Sequence, residues 1–299
     1  MNTLEEETGA AGVEADLHYL EPGSRVNRRY VAPGAEINTG HYVPRRVNIR
    51  NARPFESRLK FDSHGFVLAH AESEVRDFTD NARIESRYVG EVIDVITRVT
   101  GATRVLPMGW MVRSSGKLPT PAQQPAGYTH QGGVQPPASD VHVDMAPDRA
   151  HRFAKALYEK RVPGGPGYRR FVATSCWRAF TDPPQDWPLA VCDGNSVDPS
   201  EGVKNTMVIV DKLPEPETIQ SELPSEDDLP AASVFHFSPR HRWWYFPNMT
   251  RDEVLVLKFH DSDHSTAWRT PHTSFRDFTY PNACVRRSIE FRTVAYFEL

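Results

Sequence analysis

The chain has 299 residues, enough to bury a substantial core, and its 39% hydrophobic and 25% charged residues are those of a globular protein rather than a disordered or collagen-like one. A formal net charge of -4 leaves no basic surplus to neutralise a run of phosphates, so nucleic acid is excluded as a main partner. No apolar run approaches membrane-spanning length, and Glu5, Glu6 and Glu7 stand where a signal peptide would carry basic residues.

The three cysteines, Cys176, Cys192 and Cys284, form neither an even disulfide set nor a CxxC pair of the zinc-binding kind, and reduced thiols fit a cytoplasmic protein. Residues 17–70 read as short extended pieces broken by Pro22, Pro33, Pro44 and Pro54, closing on a turn and strand in LKFDSHGFVLAH. Val89, Val92, Ile93 and Ile96 recur at helical spacing before Gly101, which predicts a helix over 82–99. A second helix is predicted over 147–160, opened by Pro147, with Ala150, Phe153, Ala154 and Leu157 on one face and GGPG after it. The rest is β texture: RRFVATSCW, WPLAVCD, KNTMVIVDKL, ASVFHFS, EVLVLKFHDS and SIEFRTVAYFEL are short Val-, Phe- and Ile-rich runs between turn residues. Many short strands with two helices predict a sandwich or barrel with helical buttresses, in one domain spanning 1–299. Two Pro-rich connectors, 114–139 and 213–232, read as mobile surface loops, and the first is a candidate lid because it leads into the most reactive segment.

That segment is SDVHVDMAP. Its alternation puts His142 and Asp144 on one face of a strand and Val141 and Val143 on the other. Two ligands on one face can share a metal, and a second histidine from elsewhere would complete the 2-His-1-carboxylate set of a non-haem Fe(II) site. With 12 histidines in the chain such triplets also arise by chance, and His70-Ala71-Glu72 reads as structural. The candidates after residue 230 are His236, His241, His260, His264 and His272. HDSDH at 260–264 reads as a solvated turn. His272 stands apart because Arg286 and Ser288 follow on one face of a strand, a guanidinium and a hydroxyl suited to gripping a carboxylate, with Arg292 as a competing anchor. Such an anchor beside a metal triad is what a 2-oxo acid cosubstrate needs. Arg113 and Arg178 are candidate partners for a substrate carboxylate, with Trp177 or Tyr245 as a wall; Asp186 and Trp187 read as a fixed turn. Thr250 and Glu253 read as a capping box.

Several blocks in order resemble the AsaB-like hydroxylase/desaturase family, which includes fungal gibberellin desaturases and a cephamycin 7-methoxylation component. They are LHYL at 17–20, FDSHGFVL at 61–68, GWMVRSS at 109–115, VHVDMAP at 141–147 and CWRAFTDPPQDWPLAVCD at 176–193. RHRWWYFPNMTRDEVLVLKFHDS at 240–262, TPHTSF at 270–275 and RRSIEFR at 286–292 continue the likeness. The resemblance implies a double-stranded β-helix (jelly-roll) core and a non-haem Fe(II)- and 2-oxoglutarate-dependent oxygenase that uses O2 and releases succinate and CO2. It also implies that His142, Asp144 and His272 are the metal ligands and Arg286 the cosubstrate anchor. The chain departs from the family pattern at Arg287, where an acidic residue is common. The resulting expectation is hydroxylation, desaturation or oxidative cyclisation of a small molecule, an amino acid or a secondary-metabolite intermediate, by a monomer or homodimer. The competing expectations are a jelly-roll protein that binds without catalysis and a zinc-dependent hydrolase or isomerase built on the same triad.

Overall fold

The computed structural model describes residues 12–32, 35–116 and 134–299. The early strands are β1 (Val13–Leu20), β2 (Arg28–Ala32), β3 (Ala35–Asn38), β4 (Tyr42–Asn51) and β5 (Phe66–His70). After helix α1 (Val89–Thr100) come β6 (Arg104–Ser114), β7 (Val134–Gln135) and β8 (His142–Val143). Helix α2 (Pro147–Arg161) leads to β9 (Tyr168–Ala179), β10 (Leu189–Cys192), β11 (Val203–Ile209) and β12 (Ala231–Val234). The last strands are β13 (Trp243–Tyr245), β14 (Glu253–Asp261), β15 (His272–Ser274) and β16 (Arg287–Glu298).

They form two sheets, a ten-stranded one in the order β1-β4-β13-β10-β15-β8-β12-β11-β2-β3 and a six-stranded one in the order β5-β14-β9-β16-β6-β7. Neighbours far apart in sequence alternate in both, the wrapping of a jelly roll, and the core lies between the sheets. Strand β14 shows why these residues form this layer. Every residue from Glu253 to Asp261 is buried, so both faces are covered. Leu255, Leu257 and Phe259 point into the inter-sheet core, while Val254 and Val256 point outward against α1. That helix answers with Val92, Val95 and Ile96 and ends where Gly101 takes a left-handed φ of 68° and donates its N–H to Thr97. At roughly 1.5–3 kcal/mol for each fully buried aliphatic side chain, these three residues are what fastens α1 to the sheet.

The expected helices are present with local differences. The first is preceded by a short turn at Asn81–Arg83, where the Asp80 carboxylate accepts from the Arg83 N–H, and by a π turn at Ile84–Tyr88. On α2 the buried face is Arg149, Ala150, Ala154 and Tyr158; Phe153, expected on it, is 38% exposed. The capping-box reading of Thr250 and Glu253 is corrected: no helix follows, and Glu253 opens β14, accepting from the Thr250 N–H at 2.8 Å and paired with Arg53. HDSDH is not simply a solvated turn either. His260 and Asp261 are fully buried, and Asp261 Oδ2 lies 2.7 Å from Lys258 Nζ and 2.6 Å from Arg170. Loop 213–232 is tied down rather than free, because Arg28 donates to Ser221 O and Glu226 Oε2, each at 2.6 Å. The middle of the expected lid, 117–133, lies outside the described residues.

Candidate active site

Register brings the two histidines together. Strand β8 pairs with β15 such that His142 faces His272 directly, with ring centroids 4.6 Å apart. Each imidazole is fixed by a backbone carbonyl: His142 Nδ1 lies 2.8 Å from Asp140 O, and His272 Nδ1 lies 3.0 Å from Thr270 O. A proton on Nδ1 satisfies both bonds and leaves each Nε2 lone pair free to ligate. Asp144 sits in the bend just after β8, not within the strand as expected, and still reaches the same point. Its Oδ1 is 3.6 Å from His142 Nε2 and its Oδ2 4.0 Å from His272 Nε2. One potential ligand atom from each residue lies within 4.8 Å of the others, the sole such group among the described residues. Asp144 Oδ2 makes no hydrogen bond although Arg292 Nη2 is 3.1 Å away, so the contact is an ion pair without hydrogen-bond alignment. Two free imidazole lone pairs and a buried carboxylate oxygen without a donor fit a divalent ion, and their mix of nitrogen and oxygen suits ferrous iron.

Beside the triad lies a narrow cavity between the sheets. It takes Arg113, Ser175, Trp177, Leu257, Arg286 and Glu290 from one sheet and His142, Leu189, His272 and Ser274 from the other. Arg286 is fully buried just ahead of β16. Its Nη1 donates to Ser274 Oγ at 3.0 Å and its guanidinium lies 5.7 Å from the Trp177 ring, while Nε and Nη2 have no partner. Burial, then repulsion from Arg113, pushes its pKa down to about 9. The Asp186 carboxylate accepts from the Arg286 backbone N–H at 2.9 Å and from Ser115 Oγ at 2.6 Å, so the turn assigned to Asp186 is what places the anchor. Ser288 Oγ is buried and also lacks a partner. Arg287 is exposed, with its charge over Phe180 and away from the cavity, so the departure at this position leaves the pocket charge unchanged.

Glu290 escaped sequence reading. It is 7% exposed, bonds to Arg292 Nε at 2.9 Å and lies 3.9 Å from Arg113. Burial, followed by the negative charge of Asp144, pushes its carboxyl well above the ordinary range despite the opposing charges of Arg113 and Arg286. Burial also opposes ionisation of Asp144, but the two histidines outweigh it and hold that carboxyl low. Within this pair the balance of burial and charge favours ionisation at Asp144 over ionisation at Glu290. The signal was present in SIEFRTV: Ser288, Glu290 and Arg292 share one face of a strand buried from Ser288 to Tyr296, opposite Ile289 and Phe291.

Not every expected site residue belongs here. Arg113 and Trp177 line the narrow cavity. Arg178 does not; its side chain points to the other face of β9, where Nε donates to Tyr88 Oη at 3.1 Å and Nη1 donates to Arg251 O. Alternation decides this, since Trp177 and Arg178 are adjacent on one strand and must face opposite ways. Tyr245 packs edge-on against Phe275 in the core and lines none of the described cavities. Arg292 stands on the far side of Asp144 from Arg286, in the wall of a second and larger cavity of about 480 Å³. That cavity also takes Asp144, Met145, Met108, Met207, Leu229 and Phe259. Of the triad, His142 and His272 line the narrow cavity and Asp144 the broad one.

Comparison with known proteins adds to this geometry. A family model described as an oxidoreductase/YMDC permease-like domain, YDMC, matches residues 17–296. The hydroxylase/desaturase efuI of Hormonema carpetanum is 31% identical over 265 residues, covering 86% of this chain and 85% of that protein. The hydroxylase/desaturase CTB9 of Cercospora beticola is 32% identical over 280 residues, with 86% and 78% covered. A solved structure described as the iron and alpha-ketoglutarate-dependent endoperoxidase NvfI superposes with a TM-score of 0.74 at 25% identity, over 96% of this chain and 99% of that one. Among the described residues no helix is long and apolar enough to cross a membrane.

Proposed function

The chain belongs to the hydroxylase/desaturase family, and we propose that it is a non-haem Fe(II)- and 2-oxoglutarate-dependent oxygenase that tailors a small molecule of secondary metabolism. The observation that carries the reading is the convergence of His142, Asp144 and His272 next to a buried arginine with two unpartnered nitrogens. Fe(II) held by the three side chains supplies, with O2 and 2-oxoglutarate, the oxidation of an unactivated C–H bond, with release of succinate and CO2.

The protein's own residues set the conditions. Thr270 and Asp140 carbonyls orient the imidazoles before metal arrives, which spares the site that ordering on binding. Arg286 holds the distal carboxylate of the cosubstrate through Nε and Nη2, with Ser274 fixing the guanidinium from behind and Ser288 in reach as a hydroxyl donor on the same strand face. Trp177, Leu189 and Leu257 make the walls apolar and keep water from that ion pair. The narrow cavity has a volume of only about 20 Å³, room for about one water, so its lining side chains must part to admit a five-carbon diacid. Hydrogen abstraction needs no general base, and none is assigned.

Mixing the protein with Fe(II) and 2-oxoglutarate without oxygen should produce the weak visible charge-transfer band of a chelate. Admitting O2 should then release succinate. Both signals should vanish in His142→Ala and Asp144→Ala; full succinate release by these variants under strict metal control would sink the reading.

A further inference from the structure

Arg149 is the feature that the oxygenase reading does not use. It lies in the first turn of α2, five residues after Asp144, and lines the larger cavity while only 7% exposed. Its Nε and Nη2 make no hydrogen bond. The nearest carboxylates are off-axis: Asp148 Oδ2 is 3.3 Å from Nε and Asp227 Oδ1 3.8 Å from Nη2. Both belong to largely solvent-facing side chains, and Asp227 is held by Lys204 at 2.7 Å. The other arginines of this cavity each hold a carboxylate or carbonyl, although Arg29 Nε is also buried without a partner. Arg29 pairs with Glu36 at 2.7 Å, Arg152 donates to Asp227 O, and Arg292 bonds Glu290. A buried guanidinium with its side-on fork unfilled is costly unless an anion completes it. The remaining wall is apolar and adaptable, made largely of Met108, Met145, Met207, Leu229 and Phe259. A volume of about 480 Å³ suits a small molecule of drug-like size.

We propose that this cavity binds an amphipathic organic acid, its apolar body lying along the methionines and its carboxylate held side-on by Nε and Nη2 of Arg149. A singly charged carboxylate is assigned rather than a phosphate because one guanidinium edge neutralises one charge and no second free cation stands beside it among the described residues. As the site of substrate, the assignment rests on the oxygenase reading: Asp144 in the cavity floor would then present the acid's body, not its head, to the metal.

The test uses the full chain and two probes matched in length, dodecanoate and dodecanol, titrated by isothermal calorimetry. Wild-type protein should bind the acid roughly 10- to 100-fold more tightly than the alcohol, the range expected of a charge-assisted hydrogen-bonded pair. Arg149→Gln should bring that ratio close to one by weakening the acid alone, and Arg149→Lys should restore part of it. With Mn(II) and 2-oxoglutarate loaded, the chain protons of bound dodecanoate should broaden in the NMR spectrum. Equal binding of acid and alcohol by wild type overturns the proposal whatever the variants do. So does a ratio unchanged in Arg149→Gln, or sharp probe signals beside bound Mn(II). A chain that binds no Mn(II) yet keeps its Arg149-dependent preference would sink the metal-site reading and leave the acid-binding assignment standing.

Discussion

Replacing Arg286 by methionine separates what this residue does for the fold from what it does for the ligand. In the ligand-free chain its charge is a burden: burial, with repulsion from Arg113, moves the pKa from the ordinary guanidinium range down to about 9. At about 1.4 kcal/mol per pH unit, that displacement is an upper bound of order 5 kcal/mol against the folded state. Against it stand one bond to Ser274 and the contact with Trp177, together about 1–3 kcal/mol. Methionine keeps most of the side-chain volume and removes the charge, so the melting temperature without ligand should hold steady or rise by a few degrees. Binding should move the other way. Loss of one partner from a buried charge pair costs about 2–5 kcal/mol, so the Kd for 2-oxoglutarate should rise between roughly 30-fold and a few thousand-fold. Anaerobic titration of the Fe(II) form by visible absorbance gives the Kd, and differential scanning calorimetry gives the Tm. A Tm that falls by ten degrees or more with an unchanged Kd would show that Arg286 is a structural residue, and the anchor assignment would be wrong.

Other substitutions test other parts of the argument. Asp144→Asn keeps shape but loses the charge; Mn(II) affinity should drop by more than the roughly 10- to 100-fold that removal of an outer hydrogen-bond partner costs, as read by water-proton relaxation. Arg178→Met removes the bonds to Tyr88 and the Arg251 carbonyl and should lower stability by about 2–4 kcal/mol in urea unfolding while the 2-oxoglutarate Kd stays within about twofold, the reverse of the Arg286 pattern. The pH dependence of stability has a source in His260, whose pKa burial depresses to about 3, with His151 and His264 adding to it. The unfolded chain protonates there first, at about 6.5, so this contribution is complete above that pH and is lost as pH falls from about 6.5 toward 3. Between pH 6.5 and 5 it should remove at most about 2 kcal/mol. His260→Phe should flatten that part of the urea-midpoint profile; an unaltered profile would assign the acid sensitivity to other groups.

How much of this was legible in the sequence divides by physical cause. Period-two runs such as EVLVLKFHD and SIEFRTVAYF specify strands because alternating side chains must be covered on both faces, and both strands were readable. The metal-ligand candidates were readable because a His-x-Asp pair, common by chance, stood in company with a later His followed by Arg286 and Ser288 on one strand face. Arg178 was misplaced because a one-residue step along a strand reverses the face, and nothing in CWRAF says which face is inward until α1 covers one of them. Tyr245 was misplaced for a related reason, as WWYF is apolar on both sides. Phe153 failed differently. Helical periodicity finds an apolar stripe but does not tell a core-facing stripe from one that opens on a ligand cavity, and Phe153 lines the larger cavity. Glu290 had only its place on the polar face of SIEFRTV and Arg149 no motif at all; burial is what distinguishes them from surface residues of the same type.

The spacing of the site follows from one short strand. His272 and Ser274 are two residues apart on β15 and so share a face, the first turned to the triad and the second to Arg286. Two residues of extended backbone advance about 6.6–6.8 Å, the interval between the Cα atoms of His272 and of Ser274, whose hydroxyl holds the proposed anchor. With C–C bonds of about 1.5 Å, a five-carbon diacid extends about 5 Å between its end carbons, and oxygens at both ends make up the remainder. A three-carbon oxo acid falls short by about half that length and cannot reach both. On the proposed binding mode that strand interval is matched to the length of the cosubstrate, and β15 keeps it because β10 pairs along one edge and β8 pairs on the other at His272 itself. In the larger cavity the methionines, Leu229 and Phe259 offer an adaptable apolar wall and Arg149 a fork for one end of a ligand, so on the proposed binding mode that wall fixes the ligand's head and leaves its body free to vary.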